Sequence, residues 1–238
     1  MNAIDIAGRT AGPLQLERPS SERGRRAPHH RIIGEPGLRF GRAIDAYTIG
    51  STLMDGKTFE NMYSELGGLV HELKYGNPND QAFERLVDEI LYIALPTLDS
   101  LGFLKVPHLA VVPMPSTTER EFDPVARLAQ KIAARFDLPY RDDVLIKNSN
   151  VHAKRLELGC EFADGDFESI PFSKTTPATN SQDQIPLLII DDVYGEGRSL
   201  RACLRALSHA GHDGRVYFLS MVYTRNHGLA RQRWTEAA

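Results

Sequence analysis

The sequence contains little cysteine, with Cys160 and Cys203 as the only thiols among its 238 residues. It has no Cys-x-x-Cys pair, and this absence excludes a zinc ribbon. Two isolated thiols are typical of a protein in a reducing compartment such as the cytoplasm. Because Cys203 lies on the apolar face of a predicted helix, we expect it to be a core residue.

Long apolar runs are missing as well. No stretch approaches the roughly 20 residues that a membrane-spanning helix needs, and no signal peptide opens the chain. The formal net charge of −3 gives no overall argument for binding nucleic acid or a membrane surface. With 42% hydrophobic residues, the chain suits one α/β domain with an appendage, or two small domains. We therefore expect a soluble, cytoplasmic protein with no membrane partner.

The most informative stretch of the chain runs from residue 185 to residue 210. Its apolar run 187–190 predicts a parallel strand that is buried on both faces. Asp191 and Asp192 follow at the carboxyl end of that strand, where open α/β sheets bind their ligands. Carboxylates at this place suit sugar hydroxyls or a hydrated magnesium ion. An ordinary strand, turn and helix with two solvated aspartates is the alternative.

A tight turn follows the acids and leads into a helix. Gly195 and Gly197 can adopt backbone angles that other residues resist, Ser199 is a candidate N-cap, and Gly211 is expected to end the helix. Backbone N–H groups at such a turn, together with the helix N-terminus, bind phosphate. A dinucleotide fingerprint is not predicted because Leu200 replaces its third glycine, and the lysine of a Walker loop is absent.

A second strand, loop and helix repeats this arrangement earlier in the chain. Residues 109–112 form an apolar strand, Asp123 is a candidate N-cap, and Pro124 stands at the first helical position. Parallel strands of one sheet open their loops at the same edge. The loop 113–121 is therefore expected to reach the other end of the ligand that binds at the acids.

The remaining segments are predicted from their periodicity. In chain order we expect a strand or hairpin over 39–54, a helix from an N-cap at Thr58 to Gly76, a second helix from Asp80 to Pro96, and strands over 144–146 and 216–223. We interpret the two helices as a hood or dimer-facing appendage within residues 39–105. The polar segment 147–184 is interpreted as a lid or a disordered insert.

Residues 1–38 are rich in Arg, Pro, Gly and Ser and show no helical or strand period. We interpret them as a flexible, solvated tail. The alternative is an arm that binds the phosphates of a nucleic acid or the acidic face of a protein partner. The basic side chains behind that alternative are Arg18, Arg23, Arg25, Arg26, His29, His30 and Arg31.

The stretch LLII-DD-VY-GE-G-R-S resembles the phosphoribosyl-diphosphate (PRPP) signature of the type I phosphoribosyltransferases. That signature has four apolar residues, two acids, two apolar residues and then a loop of hydroxyl residues around a glycine. Gly195 and Glu196 stand where the family usually has hydroxyl residues. The resemblance implies a Rossmann-like α/β fold, with a parallel sheet flanked by helices and a small N-terminal helical appendage.

Further segments between residues 57 and 223 look like the ComF branch of that family, which is linked to competence and the use of external DNA. Its amino-terminal zinc ribbon is absent here. The segment 197–201 also resembles the pyrimidine-operon regulators of this fold, so a regulatory role stays open. The ComF-like segments are Leu73-Lys74-Tyr75-Gly76, Val112-Pro113-Met114-Pro115 and Arg120-Glu121-Phe122-Asp123.

The resemblance implies transfer of 5-phosphoribose from PRPP to a nitrogen nucleophile, with Mg2+ as a cofactor that PRPP carries. Asp191 and Asp192 would be catalytic, holding the ribose hydroxyls and orienting the metal-bound substrate. The metal would be carried by PRPP, with Asp191 and Asp192 as the residues through which it could be held. The other implied site residues form three groups: Gly195, Glu196, Gly197, Arg198 and Ser199 for the 5-phosphate; Ser116, Thr117 and Arg120 for the pyrophosphate; and Lys147, Lys154 or Arg155 in a lid.

The resemblance also implies a homodimer and a phosphoribosyltransferase core over residues 106–225, followed by a C-terminal tail over 226–238. Two other functions stay open. One is a non-enzymatic module that senses PRPP, a nucleotide or a nucleic-acid 5′-phosphate. The other is a nucleotide-depleting effector of a defence or toxin system.

Overall fold

The computed structural model describes residues 30–53, 59–76, 78–116, 123–148, 160–169 and 185–224. Its helices are α1 (Glu65–Tyr75), α2 (Asp80–Asp99), α3 (Pro124–Arg135) and α4 (Arg198–His209). Its strands are β1 (His30–Ile32), β2 (Leu38–Ala46), β3 (Thr48–Leu53), β4 (Phe59–Tyr63), β5 (Ala110–Pro113), β6 (Leu145–Lys147), β7 (Phe167–Ser169), β8 (Leu187–Tyr194) and β9 (Val216–Tyr223). None of the helices in these ranges is long and apolar enough to cross a membrane.

The central sheet has five strands in the order β1-β2-β9-β8-β5. Strands β2, β9, β8 and β5 run parallel, and β1 adds to the edge in the antiparallel direction. Strand β5 ends with Pro113 opposite Ile190, whereas β8 continues beside β9 until Tyr194 faces Tyr223. The acids thus lie in a part of β8 that extends past β5, and they belong to the strand rather than following it.

Helices cover both faces of the sheet, which confirms the predicted α/β class with a parallel sheet flanked by helices. Alternate residues of β8 point to opposite faces, as a strand requires. Leu188 and Ile190 pack with α1, α2 and α3 on one face. Leu187 and Ile189 pack with α4 and with the β6–β7 pair on the other. Cys203 is fully buried on that second face, as predicted.

The helices α1 and α2 share the core of the sheet, in contrast to the expected hood or appendage. Leu66 and Val70 of α1 and Ile90 of α2 belong to the same buried cluster as Ile190 and Leu219 of the central strands. The buried residues of both helices are part of the core. The apolar stripes of the two helices alone did not show which surface they cover, because periodicity identifies a buried face but not its partner.

Three predicted boundaries are wrong. Residues Phe59–Tyr63 form β4 and pair with β3, so α1 begins after an N-cap at Ser64 and not after Thr58. Helix α2 passes Pro96 and continues to Asp99, because Leu98 is still buried against the core. In the expected tail, His30–Ile32 pairs with β2 and buries Ile32. The pairing of β4 with β3 and that of β1 with β2 decide two of these boundaries, and the local sequence does not show which strands will pair.

Candidate functional site

The paired acids lie at the carboxyl edge of the sheet, as the sequence predicts. Asp192 is buried, with 6% of its side chain exposed, and Asp191 is half-buried. The backbone N–H of Asp192 donates a hydrogen bond to Asp191 Oδ1 at 2.9 Å. That bond fixes the orientation of the Asp191 carboxyl against the backbone of its neighbour.

Lys74, in the last turn of α1, binds one member of the acid pair, Asp192. Its Nζ donates to Asp192 Oδ1 at 2.9 Å and lies 2.8 Å from Oδ2, so it is centred on the carboxylate. Sequence reasoning missed this residue as part of the site. The one signal was its place in the ComF-like element 73–76, which came without a role.

The surrounding charges shift the pKa values of Asp191 and Lys74. Burial and the negative charge of Asp192 raise the pKa of Asp191 above its usual value, while the Lys74 ammonium opposes the shift. Burial lowers the pKa of Lys74, but the attraction of Asp192 and Asp191 outweighs burial and leaves that pKa raised. The ammonium therefore keeps its proton, and Asp191 binds a proton more readily than an exposed aspartate.

The glycine turn after β8 forms the N-terminus of α4. Gly197, with φ of +78°, is the N-cap, which corrects the assignment of Ser199 to that position. The other long helices begin at Ser64, Asn79 and Asp123, whose side chains accept first-turn N–H groups. Glycine brings no such acceptor, and the cap of α4 makes no side-chain hydrogen bond to the first turn.

Glu196, the acid of the turn, pairs with the arginine that follows it. Arg198 Nη2 lies 2.6 Å from Glu196 Oε2, and 8% of the Arg198 side chain is exposed. The carboxylate is thereby neutralised within the loop itself. On the other side of the turn, a Cβ built on Gly195 would lie 3.6 Å from Thr224 Oγ1, which places a hydroxyl beside the loop.

A second carboxylate, Glu35, approaches the same turn from the segment between β1 and β2. Arg201 of α4 donates from Nη1 to Glu35 Oε1 at 3.0 Å and from Nη2 to Glu161 Oε1 at 2.6 Å. The Tyr194 hydroxyl donates to Glu35 Oε1 at 3.4 Å. A Cβ built on Gly197 would meet Glu35 Oε1 at 2.9 Å. Nothing in the local sequence marked Glu35 as a neighbour of the loop.

The remaining predicted site residues are only partly described. Ser116 is exposed just after β5. Thr117, Arg120, Lys154 and Arg155 lie outside the described residues. The Lys147 ammonium lies over the rings of Phe162 and Phe167, 4.5 and 5.0 Å from their centroids, and burial lowers its pKa. Its role in a lid stays a prediction.

An aromatic group lies next to the lysine of the acid pair. The rings of Tyr63 and His71 stack at 4.6 Å, and the His71 and Tyr75 rings are 5.0 Å apart. The Tyr47 hydroxyl shares a hydrogen bond of 2.8 Å with His71 Nδ1. Tyr75 directly follows Lys74 and is 51% exposed. The group thus presents an aromatic surface beside the acids.

The donor set at this edge does not fit a protein-bound divalent cation. In the ranges that the structure describes, no group of three or more His, Cys, Asp or Glu side chains could hold a metal ion. The Lys74 ammonium also lies against both oxygens of Asp192. In protein sites, Mg2+ lies about 2.0–2.1 Å from the carboxylate oxygens that bind it. An ion bound in that way to Asp192 would sit against the ammonium.

This α/β chain, with its parallel sheet flanked by helices, is similar to solved phosphoribosyltransferases, although no protein-family model and no curated protein matches its sequence. One is an adenine phosphoribosyltransferase, with 17% identity and a TM-score of 0.35 over 65% of this chain and 76% of that one. The adenine phosphoribosyltransferase of Saccharomyces cerevisiae has 14% identity and a TM-score of 0.37, over 86% and 88% of the two chains.

A third similar structure is the UMP synthase of Leishmania donovani. It shares 12% identity with this chain and has a TM-score of 0.33, over 79% of this chain and 31% of that one. Similarity at this level carries no argument about activity or substrate. The function proposed below therefore rests on the residues of the site.

Proposed function

We propose that the protein transfers 5-phosphoribose from PRPP to a nitrogen nucleophile and releases pyrophosphate. One observation carries the proposal: the acid pair and the glycine turn that caps α4 lie on one continuous strand, turn and helix at the carboxyl edge of the sheet. The residues of this unit are those that resemble the PRPP signature. Their order places hydroxyl-binding carboxylates next to phosphate-binding N–H groups.

The roles of these residues follow from their chemistry. Asp191 and Asp192 accept hydrogen bonds from the two hydroxyls of the ribose ring. The first-turn N–H groups of α4 and the Ser199 hydroxyl bind the 5-phosphate, with the positive end of the helix dipole behind them. Ser116, with Thr117 and Arg120, binds the pyrophosphate end of the substrate.

Catalysis in this proposal depends on positioning and electrostatics, and no protein nucleophile takes part. Positive charge builds on the ribose ring as pyrophosphate leaves, and a negative charge at the acid pair stabilises it. Because the Lys74 ammonium offsets the charge of Asp192, the charge that acts on the ring is the net charge that remains on the pair. Magnesium enters only as a counter-ion of the PRPP diphosphate, since the protein's own residues do not fit it.

For the acceptor we propose a planar nitrogen heterocycle. The exposed ring of Tyr75 and the stacked pair Tyr63 and His71 form the aromatic surface next to Lys74. Aromatic side chains bind flat rings by offset stacking. A heterocycle on this surface would lie beside the acid pair, where the ribose is held.

The test is binding of PRPP by calorimetry, combined with pyrophosphate release in the presence of candidate bases. Asp191→Asn and the double variant Asp191→Asn/Asp192→Asn should lose PRPP binding, and Asp99→Asn at the exposed end of α2 is the control. Asp192→Asn leaves Lys74 half-buried without its counter-charge, so thermal unfolding has to be followed in parallel. A folded double variant that binds PRPP like the wild type would contradict the proposal.

A second function, binding of PRPP or a nucleotide without turnover, is favoured by one specific observation. Both arginines at the start of α4 are paired with carboxylates: Arg198 with Glu196, and Arg201 with Glu35 and Glu161. Such a cradle has less positive charge for a phosphorylated ligand than its arginines suggest. Calorimetric binding of PRPP without pyrophosphate release for any base would support this second function over the first.

A further inference from the structure

The acid pair of this protein already has a cation. Two adjacent carboxylates repel each other, and sites that contain such pairs are commonly neutralised by a divalent ion. Here the Lys74 ammonium takes that position, 2.9 Å from Asp192 Oδ1 and 2.8 Å from Oδ2. Distances this short are typical of charge-assisted hydrogen bonds.

The position of Lys74 is fixed by the way in which α1 packs. Leu66, Val70 and Leu73 are buried in the core beneath the helix. Gly67 lets the helix approach the end of β2 closely, since a Cβ there would lie 2.1 Å from the Tyr47 carbonyl oxygen. The packing of α1 therefore holds the backbone of Lys74 within reach of Asp192.

The end of a helix also favours a cation. Lys74 stands in the last turn of α1, where the carbonyl groups of the helix give a partial negative charge. The lysine side chain is 28% exposed, while Asp192 is 6% exposed, so water screens this pair less than a surface pair. The helix end and the carboxylate thus both favour the charged ammonium, and the burial of Asp192 limits how far water screens the pair.

We infer that Lys74 is a positioning residue that serves as the built-in cation of the acid pair and excludes a divalent ion from it. Its ammonium holds the Asp192 carboxylate in one orientation and neutralises it. The pair can then meet the hydroxyl groups of its ligand without a metal bridge from the protein. Only the identity of those hydroxyls, as ribose, depends on the proposed function.

The test uses Mn2+ as a paramagnetic probe for a divalent ion, titrated by electron paramagnetic resonance in the absence of PRPP. The wild type should show no Asp192-dependent Mn2+ site. Lys74→Met should create one, with an affinity at least tenfold above that of the wild type. Lys74→Arg, which keeps the charge, should behave as the wild type does, and Lys74→Met/Asp192→Asn should lose the new site.

Two results would overturn the inference. In the first, the wild type binds Mn2+ through Asp192 as tightly as Lys74→Met does. In the second, a folded Lys74→Met variant gains no site, which would mean that Lys74 is not what keeps the ion out. If Lys74→Met fails to fold, the Mn2+ titrations of the wild type and of Asp192→Asn are compared instead. A Mn2+ site that the wild type has and Asp192→Asn lacks contradicts the inference. Identical titrations of the two proteins support it.

The outcome is independent of the proposed activity. If the wild-type protein does not bind PRPP, the phosphoribosyltransferase proposal fails while the Mn2+ titrations keep their meaning. If PRPP binds but Lys74→Met gains no metal site, the inference about Lys74 fails alone. Binding of PRPP by Lys74→Arg and Lys74→Met, measured in EDTA, then shows whether the charge at position 74 also orients Asp192 for the sugar.

Discussion

Glu196 and Arg198 show how one residue pair can offset a departure from a binding signature. A carboxylate in a phosphate-binding turn repels the phosphate unless a cation lies beside it. Here Arg198 Nη2 lies 2.6 Å from Glu196 Oε2. The pair keeps the acid neutralised within the turn while the glycines on either side of it preserve the backbone geometry.

We predict that Glu196→Thr binds PRPP as tightly as the wild type or more tightly, and that any gain is larger at low salt. The substitution removes a negative charge near the phosphate and leaves the positive charge of Arg198 in place. Calorimetry at two salt concentrations measures the effect. Glu168→Thr, at an exposed position of β7, is the matched control for loss of a carboxylate. Affinity reduced tenfold or more in Glu196→Thr would show that the carboxylate is itself a ligand.

At the scale of elements, the turn between β8 and α4 is held from outside the unit. Glu35, from the β1–β2 connection, and Glu161, before β7, both accept hydrogen bonds from Arg201 in the second turn of α4. Glu35 also accepts from the Tyr194 hydroxyl, and burial together with the charge of Glu35 raises the pKa of Tyr194 to about 12. These contacts fix the first turn of the helix against its neighbours.

Gly197→Ala should destabilise the protein more than Gly211→Ala does. Both glycines have positive φ, 78° and 76°, a conformation that costs an L-residue about 1–2 kcal/mol. The two positions differ in the space around an added Cβ. At Gly211 the Cβ meets nothing within 4 Å, whereas at Gly197 it displaces the hydrogen-bonded ends of Glu35 and Arg201. The free energy of unfolding should therefore fall by about 1 kcal/mol more in Gly197→Ala than in Gly211→Ala, which is the net contribution of one hydrogen bond.

Urea unfolding of the two glycine variants measures that difference. Adding Glu35→Ala to Gly197→Ala should reduce the extra loss of stability, because the carboxylate that the new Cβ would meet is then absent. Equal losses of stability in Gly197→Ala and Gly211→Ala would mean that the Glu35–Arg201 pair moves aside without cost. PRPP binding should fall in Gly197→Ala only, since Gly211 lies beyond the far end of α4.

At the scale of the whole molecule, the main finding is that α1 and α2 cover one face of the sheet. Their buried residues and those of α3, β8 and β9 form one apolar cluster. The acid pair depends on this arrangement, because the same helix that closes the core carries Lys74 to Asp192. The packing of α1 and the chemistry of the site are therefore coupled.

Leu66→Ala should lower the free energy of unfolding by about 2–5 kcal/mol, the usual cost of truncating a fully buried leucine. Leu66 has 0% exposure and lies on the face of α1 that meets the sheet. Urea unfolding followed by far-UV circular dichroism should show a single transition whose midpoint lies at a lower urea concentration than that of the wild type. Tyr92→Ala, at a residue that is 73% exposed on α2, should change stability by less than about 0.5 kcal/mol. A separate early loss of helical signal would instead favour an independent appendage.

The strand, the turn and the helix around the acids could be predicted because each is recorded in local sequence. A continuous apolar run, two glycines and a 3.6-residue stripe need no distant partner to be recognised. The same holds for Asp123 as N-cap and Pro124 as first residue of α3, both confirmed. Strand β9 is confirmed with its predicted bounds. The N-cap of α4 was missed by two residues, because glycine caps a helix without a side-chain signal.

The sequence by itself determined the fold class and the place of the acid pair, since burial pattern and turn chemistry are local properties. Only the tertiary structure decided what surrounds that pair. Lys74 and Asp192 are 118 positions apart, and Glu35 and Arg201 are 166 apart. Their contacts arise because parallel strands bring the ends of distant segments to one edge. Residues 59–63 form a strand for a different reason, since they pair antiparallel with the nearby β3 in a separate sheet, and their own periodicity does not show this pairing.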